Sequence, residues 1–231
     1  KSAESLLDSA LERRSAPRPT IRDLTLDSGR VENRSRNFRF ASGGAIVIVD
    51  VRSGEILVSA SAPRPDPNDL ERGDVGQIEA LFSDPAAPMF DRAARMTLPA
   101  GSLQEIFGLS PDVDGRPVSI APVEVAWLMA LIAGNGRSPR PHVMFDRSDT
   151  PSDALGDRTY SISPHSAILS RLRLEGTNDS RQSTLDDALV GLPIRASAHS
   201  TTVSAGRDRP PHAWLAAYAP SDSPRVALAI A

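Results

Sequence analysis

The chain has 231 residues, 40% of them hydrophobic, which is enough to bury the core of one large domain or two small ones. Its formal net charge is −3, and it contains no long run of like charges, so nothing indicates a nucleic-acid or anionic-lipid partner. Cysteine is absent, which excludes disulfides, thiolate metal sites and cysteine nucleophiles. Lys1 is the single lysine, and arginine stays protonated, so a mechanism that needs a neutral lysine inside the fold is excluded.

The first part of the chain, residues 1–43, predicts one helix followed by a connecting loop. Behind Ser2, a plausible helix cap, apolar residues recur at helical spacing, at Leu6, Leu7, Ala10 and Leu11. The proline-rich loop that follows predicts one short strand at Ile21 to Leu26, and the arginine-rich piece from Arg34 to Phe40 reads as a solvated loop. Because the sequence starts within a helical pattern rather than at a methionine, we expect it to be a piece of a longer protein.

Residues 44–231 predict a single α+β unit. Two β-rich runs, Ala45 to Val49 and Glu55 to Ala60, are joined by a turn with a glycine and indicate a hairpin. Helices are predicted next, at Val75 to Phe82, Ser102 to Phe107, Pro122 to Ala133 and from Ser163 onward. The chain ends in three further strand candidates, at Pro193 to Ser204, His212 to Pro220 and Arg225 to Ala231. Strands at both ends with helices between predict a mixed, mainly antiparallel sheet flanked by helices.

Four stretches carry motifs in a distinctive order. They are GAIVIVDVRSGEILVSASAPRPDPN from Gly44, FDRAARMTLPAGS from Phe90, SIAPVEVAWLMALIAGNGRSPRPHV from Ser119 and PPHAWLAAYAPSDSPRVALAIA from Pro210. Together they resemble the transpeptidase domain of the penicillin-binding proteins, closest in wording to the class B members, which share their fold with the serine β-lactamases. The resemblance covers residues 44–231 and implies that fold.

The resemblance also implies a serine nucleophile with three motifs around it, S-x-x-K, S-x-N and K-T-G. Ser102 matches the nucleophile, but Glu105 stands where the family has the lysine that accepts the serine proton. Downstream of Ser102 the asparagines are Asn135 and Asn178, and neither has a serine two positions earlier, so S-x-N is missing. The short stretch from Leu109 to Pro117 leaves no room for the helical subdomain that normally supplies this motif, so we expect that subdomain to be reduced.

The third motif is replaced as well. In the place of lysine, threonine and glycine the chain has His199, Ser200 and Thr201. The family uses that glycine to let substrate lie close along the strand, and a β-branched residue such as Thr201 narrows the space. We therefore predict no catalytic residue and treat these positions as vestigial, with Ser102 expected to serve as a helix cap in a capping box with Glu105.

An alternative interpretation keeps the chemistry. Both lysine positions of the family lie near the serine, so Ser102, His199 and Glu105 could form a nucleophile, a base and an orienting acid. Such a hydrolase or acyltransferase would act on peptidoglycan peptides or β-lactams. A further alternative is that missing segments of the site are supplied elsewhere in the parent protein or by a partner.

The remaining predictions follow from the resemblance and from the histidines. We expect His142 and His212 to match structural family positions and His165 to lie on a helix surface, so no metal or cofactor site is predicted. The resemblance implies an extracytoplasmic, periplasmic domain of a bacterial protein anchored in the inner membrane. Expected partners are a protein of the cell-wall synthesis or division machinery and peptidoglycan itself, with no nucleic acid.

Overall fold

The computed structural model describes residues 2–15, 43–73, 75–111, 114–143, 159–177, 193–205 and 211–231. The helices are α1 (Ala3–Ser15), α2 (Pro67–Glu71), α3 (Val75–Ser83), α4 (Arg92–Arg95), α5 (Leu103–Phe107), α6 (Pro122–Ala133) and α7 (Pro164–Thr177). The strands are β1 (Gly44–Asp50), β2 (Ile56–Ala62), β3 (Leu98–Pro99), β4 (Ser119–Ile120), β5 (Ser197–Val203), β6 (His212–Ala219) and β7 (Val226–Ile230). The strand predicted at Ile21 to Leu26 and the arginine-rich piece from Arg34 to Phe40 lie outside the described residues.

An antiparallel sheet organises the described part of the chain. Its strand order is β2-β1-β7-β6-β5, so the N-terminal hairpin pairs with the last strand of the chain. The register places Ile46 opposite Ile230, and His199 on the outer strand β5 opposite Ala216. Because the first and last strands are neighbours, the sheet forms only when distant parts of the sequence meet.

Helix α6 is the centre of the main core. All twelve of its residues are buried, and it packs on β1, β6 and β7 as well as on α7. A helix that is apolar all round must be buried all round. Here the sheet packs against one side of α6, and α4, α5 and α7 pack against the others. The helix ends at Gly134, where Asn135 and Gly136 have φ values of 55° and 83°, the left-handed conformation that stops a helix.

Glu124 completes the start of this helix. Its buried carboxylate accepts a hydrogen bond of 2.7 Å from the backbone N–H of Ala121 and one of 3.0 Å from the hydroxyl of Tyr160. The edge of the Tyr160 ring contacts Trp127, with the ring centroids 5.7 Å apart. A buried polar side chain is tolerated when it is hydrogen-bonded, and these two bonds fix the position of Tyr160.

Helix α1 covers the opposite face of the sheet. It contacts β2 and β1, and its Leu7 is buried in a second, smaller cluster with Ile46, Ala60 and Ala62. Arg64, just after β2, donates a two-pronged hydrogen bond to Asp8 on this helix, at 3.0 and 2.8 Å. The helix predicted from Ser2 is therefore a layer of the fold.

The α+β fold class with an antiparallel sheet and flanking helices is confirmed, and the predicted hairpin forms. Ser163 caps α7 as predicted, since its Oγ accepts a hydrogen bond from the backbone N–H of Ser166 at 3.1 Å. The strand predicted from Pro193 begins only at Ser197, in part because proline has no N–H to donate to a sheet. In the described ranges no helix is long and apolar enough to cross a membrane.

The two tryptophans form a matched pair that tests what one buried hydrogen bond contributes. Trp214 Nε1 donates to the carbonyl of Pro99 at 2.9 Å, whereas the equally buried Trp127 Nε1 has no partner in the parts of the chain described. We expect Trp214→Phe to lower the free energy of unfolding by about 1 kcal/mol more than Trp127→Phe. Urea unfolding followed by circular dichroism measures both, and equal losses would contradict the assigned role of the Pro99 bond.

Candidate active site

The residues before Ser102 bring it to the outer strand of the sheet. Strand β3 pairs with β4, and the Trp214 bond to Pro99 fixes this segment against β6. Gly101 follows with φ of 57°, and a Cβ added there would lie 2.6 Å from Val203 Cγ2 and 2.9 Å from Thr201 Oγ1. Only a glycine fits this conformation and this close approach without displacing β5.

Ser102 and His199 meet directly. Ser102 Oγ lies 2.8 Å from His199 Nε2, within hydrogen-bonding distance. Ser102 directly precedes α5 and His199 lies on β5, and the close packing of Gly101 on β5 sets their separation. A serine hydroxyl in contact with an imidazole nitrogen is the minimum arrangement of a nucleophile and a base.

The protonation of His199 is set by two opposing effects. Burial lowers the pKa of His199 from its ordinary value of 6.5, and the nearby negative charge of Glu105 raises it, with burial the larger effect. The ring is therefore neutral near pH 7, the state in which an imidazole nitrogen can accept a serine proton.

Glu105 acts on this pair only at a distance. It is exposed on the first turn of α5, and within the described ranges it forms no hydrogen bond to the His199 ring. An orienting acid works by accepting a hydrogen bond from the other ring nitrogen, which fixes the tautomer. The structure thus brings together two members of the alternative triad and leaves the third as a neighbouring charge.

The expected capping role of Ser102 is wrong. Its side chain makes no capping hydrogen bond, and its φ and ψ of −69° and −11° are helical rather than the extended values of an N-cap. The first N–H groups already have backbone acceptors in a tight turn, from Leu103 to the carbonyl of Ala100 and from Gln104 to that of Gly101. With those donors satisfied, the Ser102 hydroxyl is left to pair with His199.

The Thr201 side chain lies beside Gly101 and the backbone N–H of Ser102. The N–H of Ser102 is directed at Thr201 Oγ1, at a long 3.5 Å, and the Thr201 side chain packs against Gly101. In serine acyl transfer the nucleophile's own N–H commonly helps to hold the oxyanion of the tetrahedral intermediate. The crowding expected from a β-branched residue is therefore present, and the sequence alone did not indicate that it would engage this N–H.

The surroundings of the pair are open. Ser102, Glu105 and Ser200 are exposed and His199 is half-buried, so water reaches the serine. A cavity of about 740 Å³ lies elsewhere, between the turn that joins β1 and β2 and the end of α6. In the part of the chain that the structure describes, no three histidine, cysteine or acidic side chains are grouped so as to hold a metal.

The other histidines lie outside this site. His165 is exposed on α7, His142 bridges to Glu55 at the start of β2, and His212 opens β6 opposite Val203. Among the described residues, His199 is thus the histidine that reaches the serine, as the alternative interpretation requires.

Comparison with known proteins gives one curated relative. The Peptidoglycan D,D-transpeptidase PbpA of Mycolicibacterium smegmatis is 28% identical over 125 residues, which is 50% of the chain and 24% of the relative. The match therefore spans about a quarter of that protein's length. No family model matches the chain.

Solved structures match more of the chain. PBPA from Mycobacterium tuberculosis superposes with a TM-score of 0.62 at 19% identity, covering 81% of this chain and 68% of that one. Pseudomonas aeruginosa PBP2 in complex with WCK 5153 gives a TM-score of 0.62 at 15% identity, covering 81% and 66%. The chain therefore has the fold of a penicillin-binding-protein transpeptidase domain. The sequence resemblance assigns Ser102 to the nucleophile and His199 to the lysine of the third motif, and the structure places these two side chains in contact.

The charge of Glu105 gives a measurable prediction for His199. Because the carboxylate stabilises the imidazolium, Glu105→Gln should lower the pKa of His199 further below its ordinary value of 6.5. Titration of the imidazole C–H signals by NMR measures this shift. Glu79→Gln, an exposed change on α3, is the control and should leave the pKa unchanged. An unchanged or raised pKa in Glu105→Gln would show that the carboxylate does not act on the ring.

Proposed function

We propose that this chain is a catalytically degenerate transpeptidase-like domain that acts as a non-catalytic scaffold or binding module in peptidoglycan synthesis or cell division. Its location would be extracytoplasmic, in a parent protein anchored in the bacterial inner membrane. Its partners would be a protein of the cell-wall machinery and peptidoglycan. The name of the curated relative, a peptidoglycan D,D-transpeptidase, supports this setting.

The observation that carries the proposal is the replacement of the family's lysine by Glu105, three residues after Ser102. Glu105 puts a carboxylate where the family's proton-accepting lysine belongs, and it also repels the carboxylate of a peptidoglycan peptide or a penicillin. From α1 to the end of the chain the sequence contains no lysine. The family's own mechanism has therefore lost its base.

The second support comes from Thr201. Its side chain lies against Gly101 and beside the N–H of Ser102, the space that a bound acyl group and its developing oxyanion need. Losing an oxyanion donor alone costs about 100- to 1,000-fold in turnover in a serine enzyme. The combined loss of base and oxyanion site favours binding over catalysis.

One observation favours a second function, a serine hydrolase or acyltransferase with a rewired site. The 2.8 Å contact would let Ser102 Oγ attack a carbonyl carbon while its proton passes to His199 Nε2. The imidazolium would then protonate the leaving group, and water would release the acyl chain from Ser102. This function needs Thr201 to move aside and has no hydrogen-bonded orienting acid.

Penicillin labelling tests the leading proposal. We expect the full chain to show no covalent adduct on Ser102 after incubation with a fluorescent penicillin, because the lysine of the family is missing, Thr201 lies beside the Ser102 N–H and Glu105 repels the ligand carboxylate. Gel fluorescence and peptide mass spectrometry measure the adduct, with an intact penicillin-binding protein as positive control. An adduct formed at a comparable rate and absent from Ser102→Ala would overturn the proposal.

Ester hydrolysis tests the second function separately. Under the leading proposal, the rate on p-nitrophenyl acetate and on longer acyl esters should be the same for the wild type and for Ser102→Ala. Spectrophotometric release of p-nitrophenol measures it. A wild-type rate at least about tenfold higher that is lost in both Ser102→Ala and His199→Gln would instead establish the rewired dyad, since removing either member of a working pair commonly costs more than that.

A further inference from the structure

A second concave surface lies at the opposite end of α6 from the serine. It is a groove of about 740 Å³, open to solvent, and it is distinct from the Ser102–His199 site. Its walls come from the turn after β1, the end of α6 and two loops, with lining residues that include Val51, Arg52, Leu131, Arg137, Tyr160 and Pro224. The volume lies within the range of about 300–1,000 Å³ that is typical of ligand sites.

The groove is positively charged. Arg52 and Arg137 line it and are exposed, and neither guanidinium makes a hydrogen bond or an ion pair with any described residue. No acidic side chain is among the described residues that line it. The nearby carboxylate of Asp50 faces its own turn, where it accepts the backbone N–H groups of Arg52 and Ser53, both at 2.8 Å. Two unpaired guanidinium groups in one concavity are suited to receive carboxylates.

Neighbouring contacts hold the groove in shape. The Tyr160 hydroxyl is bound to Glu124 and its ring edge rests on Trp127, so one wall is a fixed aromatic ring. At the α6 end, Arg171 donates to Asn135 Oδ1 at 3.0 Å and to the carbonyl of Ser221 at 3.2 Å, which joins the helix stop to the loop after β6. A surface that does not rearrange loses less free energy on binding.

We propose that this groove binds an acidic peptide segment of a partner protein. Carboxylate side chains would pair with Arg52 and Arg137, while apolar side chains between them would rest on Tyr160 and Pro224. A peptide segment suits this surface better than a small phosphate ligand, since the concavity is open to solvent and small-ligand sites enclose most of their ligand. The proposal goes beyond the scaffold function by assigning the contact surface and the chemistry of the partner.

The test uses a labelled model peptide. A fluorescein-labelled peptide of alternating glutamate and leucine is titrated with the full chain and followed by fluorescence anisotropy, beside the same peptide with glutamine in place of glutamate. We expect the glutamate peptide to bind and to weaken as salt is added, and the glutamine peptide to bind at least about tenfold more weakly.

Charge reversal locates the binding. Arg52→Glu combined with Arg137→Glu should weaken binding of the glutamate peptide by about tenfold or more, because each attraction becomes a repulsion. Arg95→Glu, an exposed change on α4 away from the groove, is the matched control and should retain the affinity. The altered side chains are exposed, so circular dichroism and the thermal midpoint should match the wild type.

Three binding results with the model peptides and variants would overturn the proposal, and a fourth result comes from competition with phosphate. The three are equal binding of the glutamine peptide, retained affinity in the double charge reversal, and an equal loss in Arg95→Glu. Displacement of the peptide by inorganic phosphate at constant ionic strength would likewise replace the peptide site with a small-anion site. Penicillin labelling is a separate readout, so the groove and the loss of catalysis can each fail without the other.

Discussion

The burial of α6 is the constraint on which the rest of the domain depends. A helix with all twelve residues buried has no face to give to water, so the sheet must close over it on one side and short helices on the others. The two ends of the helix are stabilised differently. At the start, the Glu124 carboxylate accepts the backbone N–H of Ala121, and at the end the left-handed residues Asn135 and Gly136 terminate the helix. The segment that carries Ser102 follows β3, which pairs with β4 just before α6 starts. The groove lies at the other end of α6, about 18 Å along the helix axis.

Most of the longer helices and strands were predicted from the sequence, because the patterns that indicate them lie within a few neighbouring residues. The apolar run of α6 with its glycine stop, the hairpin of β1 and β2, and the cap and proline at Ser163 and Pro164 each lie within a few residues of one another. The short elements α2, α4, β3 and β4 were not predicted, since two to five residues carry too little periodicity to show a pattern. The order of the strands was not predicted, because pairing of β1 with β7 depends on contacts between residues far apart in the chain.

The sequence was sufficient to select the residues of the candidate site, but it was not sufficient to predict what the Ser102 side chain contacts. The sequence named Ser102, Glu105 and His199, and the structure places the first and the last in contact. The error concerned Ser102, for which a serine followed by glutamate three positions later suggested a capping box. That pattern assumes unsatisfied N–H groups at the helix start, whereas here a tight backbone turn has already paired them. Such a turn depends on Gly101 and on its packing against β5, which no spacing rule encodes.

The close approach of Gly101 to β5 has a consequence for the history of this domain. The side chains of Thr201 and Val203 fill the space above the glycine, and the Ser102 N–H has turned to the threonine hydroxyl. Changing Thr201 alone would open a gap without providing a base, and changing Glu105 alone would provide a base with no room for an acyl group. Under the proposed function, neither change alone would restore the acyl transfer of the family, because each leaves the other obstacle in place.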